Sequence, residues 1–339
     1  MTPDLLALGG AFVLAACIFG VAIGPVRLGA PGVVKELLDR VPFVDLRSGL
    51  SARETAILWE LRVPRVALGG LVGAMLAVAG AAYQGAFRNP LADPYLLGVA
   101  AGAGLGATLA IAYLPSATSW PIDPVPLAAF AGALLSVALT YALGRSGIGS
   151  RTAATLILAG VAIASFLTAL QTYVQQRESE TLQRVYVWIL GGLTTSGWRE
   201  VMLILPYLIV GSVAILLHRR LLDVLALGDE ETDALGVKAG RVRLIVVLAA
   251  SLGTAAAVSV SGLIAFVGII VPHTVRLLVG SSYRRVLPLS ILGGAAFLIL
   301  ADLIARTALA PAEIPIGVVT AFFGAPFFVI VLRTTRRVT

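Results

Sequence analysis

Apolar residues in this chain run in long blocks separated by short polar stretches; they neither alternate nor recur with the period of a surface helix. A helical bilayer crossing takes about 20 apolar residues. Ten blocks approach or exceed that length: 5–26, 62–86, 95–114, 124–143, 153–173, 201–218, 243–260, 262–279, 287–303 and 315–332. The pattern predicts an all-α integral membrane protein with about ten transmembrane helices in one domain covering 1–339. Blocks seven and eight are broken only near Ser261-Gly262. That break reads as a tight turn or as a pair of short, broken helices, which membranes accept where the break is buried in protein. Outside the blocks lie a first loop of mixed charge (27–61), a short outer helix and loop (about 175–200) and an inner loop (about 221–242).

Composition narrows the class. Of 339 residues, 58% are hydrophobic and 13% charged, against roughly 25% charged in soluble domains. Short loops leave no room for a soluble catalytic domain. Glycines recur four apart at Gly69 and Gly73, and again at Gly98, Gly102 and Gly106, a spacing that lets membrane helices approach closely. Cys17 is the single cysteine, so no disulfide or cysteine metal site forms within one chain. The first block is too long for a signal-peptide core and is read as a retained span.

The formal charge of +7 is read mainly as an orientation signal. With the N-terminus inside, 14 of the 25 lysines and arginines fall at inner ends and 11 outside. Most of the outer ones lie in or beside the first loop. The short loops therefore place both termini in the cytoplasm. Basic residues scattered over both faces exclude a nucleic-acid partner; lipid is the surrounding medium.

Enzyme constellations are missing. The sequence contains no Gly-x-x-x-x-Gly-Lys-Ser/Thr loop to cradle ATP, no His-Glu-x-x-His and no Ser-His-Asp set, and its two histidines are His218 and His273. No catalytic residue, metal ligand or cofactor is assigned to the chain. The blocks are also poor in ionisable groups; Asp302, Glu313 and His273 sit near block ends. Carriers driven by ion gradients place such groups inside the membrane, and a bare metal ion needs oxygen or imidazole ligands. The path expected here suits a bulky ligand that brings its own coordination shell, with energy supplied elsewhere. An ion-gradient-driven carrier of a small organic solute is the alternative, and a purely structural scaffold a third reading.

The inner loop carries a partner-docking pattern. Leu227-Gly228-Asp229-Glu230-Glu231-Thr232-Asp233-Ala234-Leu235-Gly236 reads as a short helix. Its acids lie in the first turn, where they suit the helix dipole, and Gly236 fits the C-terminal cap. Leu227, Ala234 and Leu235 form an apolar face. An acidic helix is disfavoured against an anionic inner leaflet, so a protein partner is expected.

These segments resemble a known family. Arg62-Val-Pro-Arg65, Gln84-Gly85 with Arg88-Asn-Pro-Leu-Ala-Asp-Pro94, Leu227–Gly236, Gly268-Ile-Ile-Val-Pro-His273, Arg285-Val-Leu-Pro288, Ala312-Glu-Ile-Pro-Ile-Gly317 and Gly324-Ala-Pro-Phe327 are similar, in order, to permease subunits of type II ABC importers for iron siderophores, haem and cobalamin. The resemblance implies a homodimer in a bacterial or archaeal cell (inner) membrane. Two ATPase subunits, which would hold ATP and Mg²⁺, sit beneath it and an extracytoplasmic binding protein above. It implies that Leu227, Gly228, Asp229, Glu230, Glu231, Ala234, Leu235 and Gly236 couple to the ATPase, and that Asn89 and Leu91 form a cytoplasmic gate, with a second gate near Ile148-Gly149-Ser150. Arg62, Arg65 and Arg306 would dock the binding protein. The pathway is expected along the fifth and tenth spans, at Thr168, Gln171, Thr172, Val318, Thr320 and Phe322. His273 is read as a buried hydrogen-bonding or packing residue, and Asp302 as bonding a neighbouring helix end.

Overall fold

The computed structural model describes residues 3–26, 28–40, 48–114, 123–146, 153–194 and 197–335. Within them the chain is helical throughout, with no strand. The long helices are α1 (Pro3–Ala22), α4 (Val63–Phe87), α6 (Pro124–Ser146), α7 (Ala153–Arg177), α9 (Arg199–Leu217), α12 (Ala239–Ser261), α14 (Tyr283–Thr307) and α15 (Ile316–Thr335). Two shorter apolar helices, α5 (Val99–Tyr113) and α13 (Val267–Val279), complete the ten expected crossings. The first loop contributes α2 (Ala30–Asp39) and α3 (Ala52–Ala56), the outer stretch α8 (Leu182–Ile189), and the inner loop α10 (Arg219–Leu225) and α11 (Asp229–Ala234).

α4 is the central post. It packs against α14, α12, α13 and α9, and from Leu76 to Phe87 every side chain is buried. It is entered without a break: α3, capped by the Ser51–Glu54 box, runs through a π-helical turn at Ile57–Arg62 into α4. The turn absorbs Pro64, which has no N–H to give and sits in the first turn of α4, where that loss costs least. The helices that ring this centre keep large apolar side chains exposed, among them Leu8, Leu158, Val210 and Phe322. Such a surface suits lipid or a second protein rather than water.

Small residues set the closest approaches. A Cβ on Gly73 would run into the carbonyl of Gly294, and one on Gly294 into the carbonyl of Gly73. Gly80 meets Gly268 in the same way. Gly73→Ala is therefore expected to cost about 1–3 kcal/mol through overpacking, read as a lower midpoint of thermal unfolding in detergent. Gly240→Ala faces open space and is expected to leave the midpoint unchanged or slightly raised; an equal loss in both would dismiss the close-packing account.

Both short helices are short for one reason. After Phe87 the chain turns at Arg88, whose left-handed φ of 50° lets its N–H and that of Asn89 cap the end of α4 at the Gly85 and Gln84 carbonyls. Residues 89–98 then fold back into the bundle instead of starting a helix. Their carbonyls are met by side chains: Ser136 Oγ donates to Gly98 O at 2.8 Å and Thr140 Oγ1 to Leu97 O at 3.1 Å. The expected break after Ser261 is a non-helical run, 262–266, between positive-φ residues Gly262 and Phe266. Tyr95 bridges the two interruptions, its hydroxyl donating to Ile264 O at 2.9 Å and accepting from Ile264 N at 3.2 Å. Irregular backbone deep in a membrane protein is tolerated only with such internal partners.

Candidate functional site

The end expected to face the cytoplasm is organised around Arg243, which is buried in α12. Its Nε donates to the Ala86 carbonyl at 2.8 Å, at the end of α4, and its Nη2 to both Asp229 carboxylate oxygens at 2.8 and 3.0 Å. Arg88 also approaches Asp229 Oδ1, at 3.4 Å. One carboxylate thus fastens α11 to α12 and α4. Hydrogen bonding from Arg243 holds the Asp229 carboxyl below its usual pKa. Thr232, fully buried, donates to the Val224 carbonyl at 3.1 Å, and Asp233 accepts the Ala239 N–H that opens α12.

The opposite face of α11 is free. Leu227 and Leu235 are 61% and 62% exposed, and Glu230, Glu231 and Ala234 are exposed beside them. Gly228 supplies a φ of +134° in front of the helix and Gly236 one of +79° behind it. The expected segment is therefore present as a small apolar knob on a fixed base. Asp229 ties the segment to its base while its side chain stays 38% exposed.

A depressed carboxylate pKa stabilises at pH above its unfolded value and loses that contribution as pH falls through the folded value. The Asp229 tie is thus expected to hold at neutral pH and to loosen below the ordinary aspartate range, near 3.8. Asp229→Asn should speed amide hydrogen exchange across 229–235 at neutral pH, and wild type should approach that rate on acidification. An unchanged rate in the variant would remove the fastening role.

Between α4 and α5, Asn89 Oδ1 accepts the Leu91 N–H at 2.9 Å, closing a tight turn that presents Leu91 at its tip, 42% exposed. The Gln84 side chain behind it donates to Gly268 O at 3.0 Å and accepts from Arg276. Ile148-Gly149-Ser150 lies outside the described residues.

The end expected to face outward is also a charge cluster, with a different use of its arginines. Arg65 donates through Nε and Nη2 to Asp302, and through Nη1 and Nη2 to Glu313, all at 2.9–3.2 Å. Arg62 and Arg306 do not reach outward. Both are buried and donate to carbonyls at the C-terminal end of α1: Arg62 to Val21 and Ala22 at 3.0 Å and to Val26 just beyond the helix, Arg306 to Gly20. The last carbonyls of a helix have no helical partner and carry partial negative charge, so the two guanidiniums cap α1. Of the three arginines expected to dock a binding protein, Arg62 and Arg306 are buried here and Arg65 is 16% exposed. Asp302 accepts from Arg65, in the first turn of α4, at 2.9 Å and is paired with Arg306 of its own helix at 3.4 Å. A cavity of about 380 Å³ opens beside the cluster, lined by Arg65, Asp123, Arg184, Trp188, Asp302 and Glu313. Nothing in the spacing of Asp123 or Arg184 marked them.

Of the six expected pathway residues, Thr168, Thr172, Val318 and Phe322 are exposed on α7 and α15. Gln171 and Thr320 are turned inward. The Gln171 amide lies against Gly104, and Thr320 donates to the Gly317 carbonyl at 3.1 Å. His273 packs edge-on against Phe327, ring centroids 5.8 Å apart.

Among the described residues, seven helices long and apolar enough to cross a membrane and three shorter apolar ones, with an apolar knob at one end, define a multi-pass permease of the type II ABC importer fold. The chain belongs to the FecCD transport family, which matches residues 12–334. It is 38% identical to the ABC transporter permease protein YvrB of Bacillus subtilis, over 97% of this chain and 93% of that one. Identity is 43% to the cobalamin import system permease protein BtuC of Halobacterium salinarum, over 85% and 76%. Among solved structures, an inward-facing transporter described as of metal-chelate type superposes with a TM-score of 0.84 at 29% identity, over 98% of this chain and 99% of that chain.

Proposed function

We propose that this chain is the membrane-spanning subunit of an ATP-driven importer for an iron chelate, a ferric siderophore or haem, or for cobalamin. It works as a homodimer with two ATP-binding-cassette subunits, in which ATP and Mg²⁺ are held, and receives substrate from an extracytoplasmic binding protein. The membrane is the bacterial or archaeal cell membrane, with both termini cytoplasmic. The α11 knob carries the reading: two leucines exposed in water have no use within the chain, while Asp229, Thr232 and Asp233 fix their base. A groove on an ATPase is the occupant that such a rigid apolar projection fits.

The transport step follows from the ties. A push on α11 passes through Asp229 and Arg243 to the Ala86 carbonyl, at the foot of α4. The Asn89–Leu91 turn begins there, so ATPase closure moves the gate and the central helix together, as in alternating access by rigid-body motion. The ionisable-poor spans suit a cargo that carries its own metal shell, as the cobalamin and metal-chelate relatives' names describe.

The test is to tag the chain in its native membranes, extract it in mild detergent and identify co-purifying proteins by mass spectrometry. A near-stoichiometric ATPase is expected, with or without a binding protein. That binding protein is then screened against ferric siderophores, haem and cobalamin. A homo-oligomer with no ATPase, under conditions that preserve other ABC complexes, would return the reading to a gradient-driven carrier.

A further inference from the structure

A second polar feature at the knob-bearing end takes no part in the ties above. Arg219 opens α10, and Arg284 and Arg285 lie in the first turn of α14; with Ser282 they line one pocket of about 360 Å³, within the range of small-ligand sites. None of the three guanidiniums is ion-paired among the described residues. The nearby acid, Asp223, is already committed: it accepts from Ser282 Oγ at 3.0 Å and from Tyr283 N at 2.7 Å. Three positive charges against one engaged carboxylate leave an excess of two. Arginines gathered this way repel one another unless an anion joins them, and the guanidinium fork matches a phosphate.

Next to the pocket in the chain stand three of the most exposed leucines of the molecule. Leu217, 75% exposed, ends α9 just before Arg219, and Leu277 and Leu278, 72% and 78% exposed, end α13 just before the turn to Arg284. Charge and bare apolar surface therefore adjoin at one helix-end level. That is the profile of a phospholipid, a phosphate headgroup above and acyl chains below. Basic pockets between membrane helices on the cytoplasmic side take anionic headgroups.

We propose that Arg219, Arg284 and Arg285 bind the headgroup of an anionic phospholipid, with Leu217, Leu277 and Leu278 against its acyl chains. The leaflet rests on the orientation proposed above; the binding does not. The Asp223 carboxylate joins the start of α14 to α10, next in the chain to α11, so the lipid would steady the base of the knob.

The experiment uses the full chain reconstituted in phosphatidylcholine nanodiscs with or without phosphatidylglycerol, followed by native mass spectrometry of the lipid retained. Wild type is expected to keep phosphatidylglycerol in preference to phosphatidylcholine, and to lose that preference as sodium chloride rises. Each Arg→Gln change at 219, 284 or 285 should reduce the preference about fivefold, while Arg333→Gln leaves it unchanged. Equal retention by the triple variant and wild type would overturn the proposal, as would a salt-independent preference in wild type, which needs no variant to fold. Displacement of the lipid by inorganic phosphate alone would make this a free-anion site. Loss of a co-purifying ATPase with phosphatidylglycerol retained would give the arginines to a protein partner. An importer lacking lipid selectivity and a lipid-selective chain lacking an ATPase are separate outcomes, so the two readings fail independently.

Discussion

Leu227→Asp with Leu235→Asp should detach or uncouple the ATPase while leaving the permease folded. Both side chains are more than half exposed, so the change removes little internal packing. A partner groove would lose two apolar anchors and receive two charges. Central interface anchors cost about 2 kcal/mol or more each on truncation, which corresponds to roughly 30-fold in affinity per residue. The measurement is twofold: co-purification of the ATPase, and ATP hydrolysis stimulated by the loaded binding protein. Unfolding temperature in detergent should match wild type. Normal stimulated hydrolysis in the double variant would remove α11 from the coupling path.

The Arg65 cluster at the opposite end should show the reverse, a large stability loss with little direct effect on the ATPase. Asp302 is almost fully buried and faces Arg65 and Arg306. Removing it by Asp302→Ala leaves a buried guanidinium without its counter-charge, which costs about 3–5 kcal/mol. Glu313, 41% exposed, shares Arg65; its ion pair lies near the surface, and Glu313→Ala is expected to cost about 1 kcal/mol or less. Thermal unfolding in one detergent checks both. Equal losses would mean that burial does not set the hierarchy. If Arg65 also meets a carboxylate of a binding protein, Glu313→Ala should strengthen docking and Asp302→Ala should not.

The crossings were legible because lipid imposes a single requirement, apolar length, and each of the ten blocks contains a helix. What escaped the sequence was tertiary. The third block was read from 95, yet α5 starts at Val99 because Asp93-Pro94-Tyr95 packs inward against Ile264 and Gly268. The eighth was read from 262, but the helix waits until Val267. Hydropathy cannot separate an extended apolar run from a helical one. A block end looks the same whichever side an arginine takes, and the carbonyls that Arg62 meets, at and just beyond the end of α1, lie 36–41 residues away in the chain. The Asp302–Arg306 pair was in principle readable, since the two are four apart in one helix. Arg65–Asp302, 237 residues apart, was not. For the α11 knob, caps and acids marked the helix, and only packing separated Asp229 from Glu230 and Glu231.

The attachment of α11 to the end of α4 also bears on timing. Arg243 holds the knob and the end of the central post, where the proposed gate begins, in one linkage of two hydrogen-bonded contacts. A stroke delivered there needs no diffusing signal and no intermediate rearrangement, so the two ends of the linkage travel in phase. Gate opening would then be limited by how fast the ATPases move. Lengthening the chain between Arg88 and Leu91 would introduce backlash, so that nucleotide is consumed without a matching displacement of the gate.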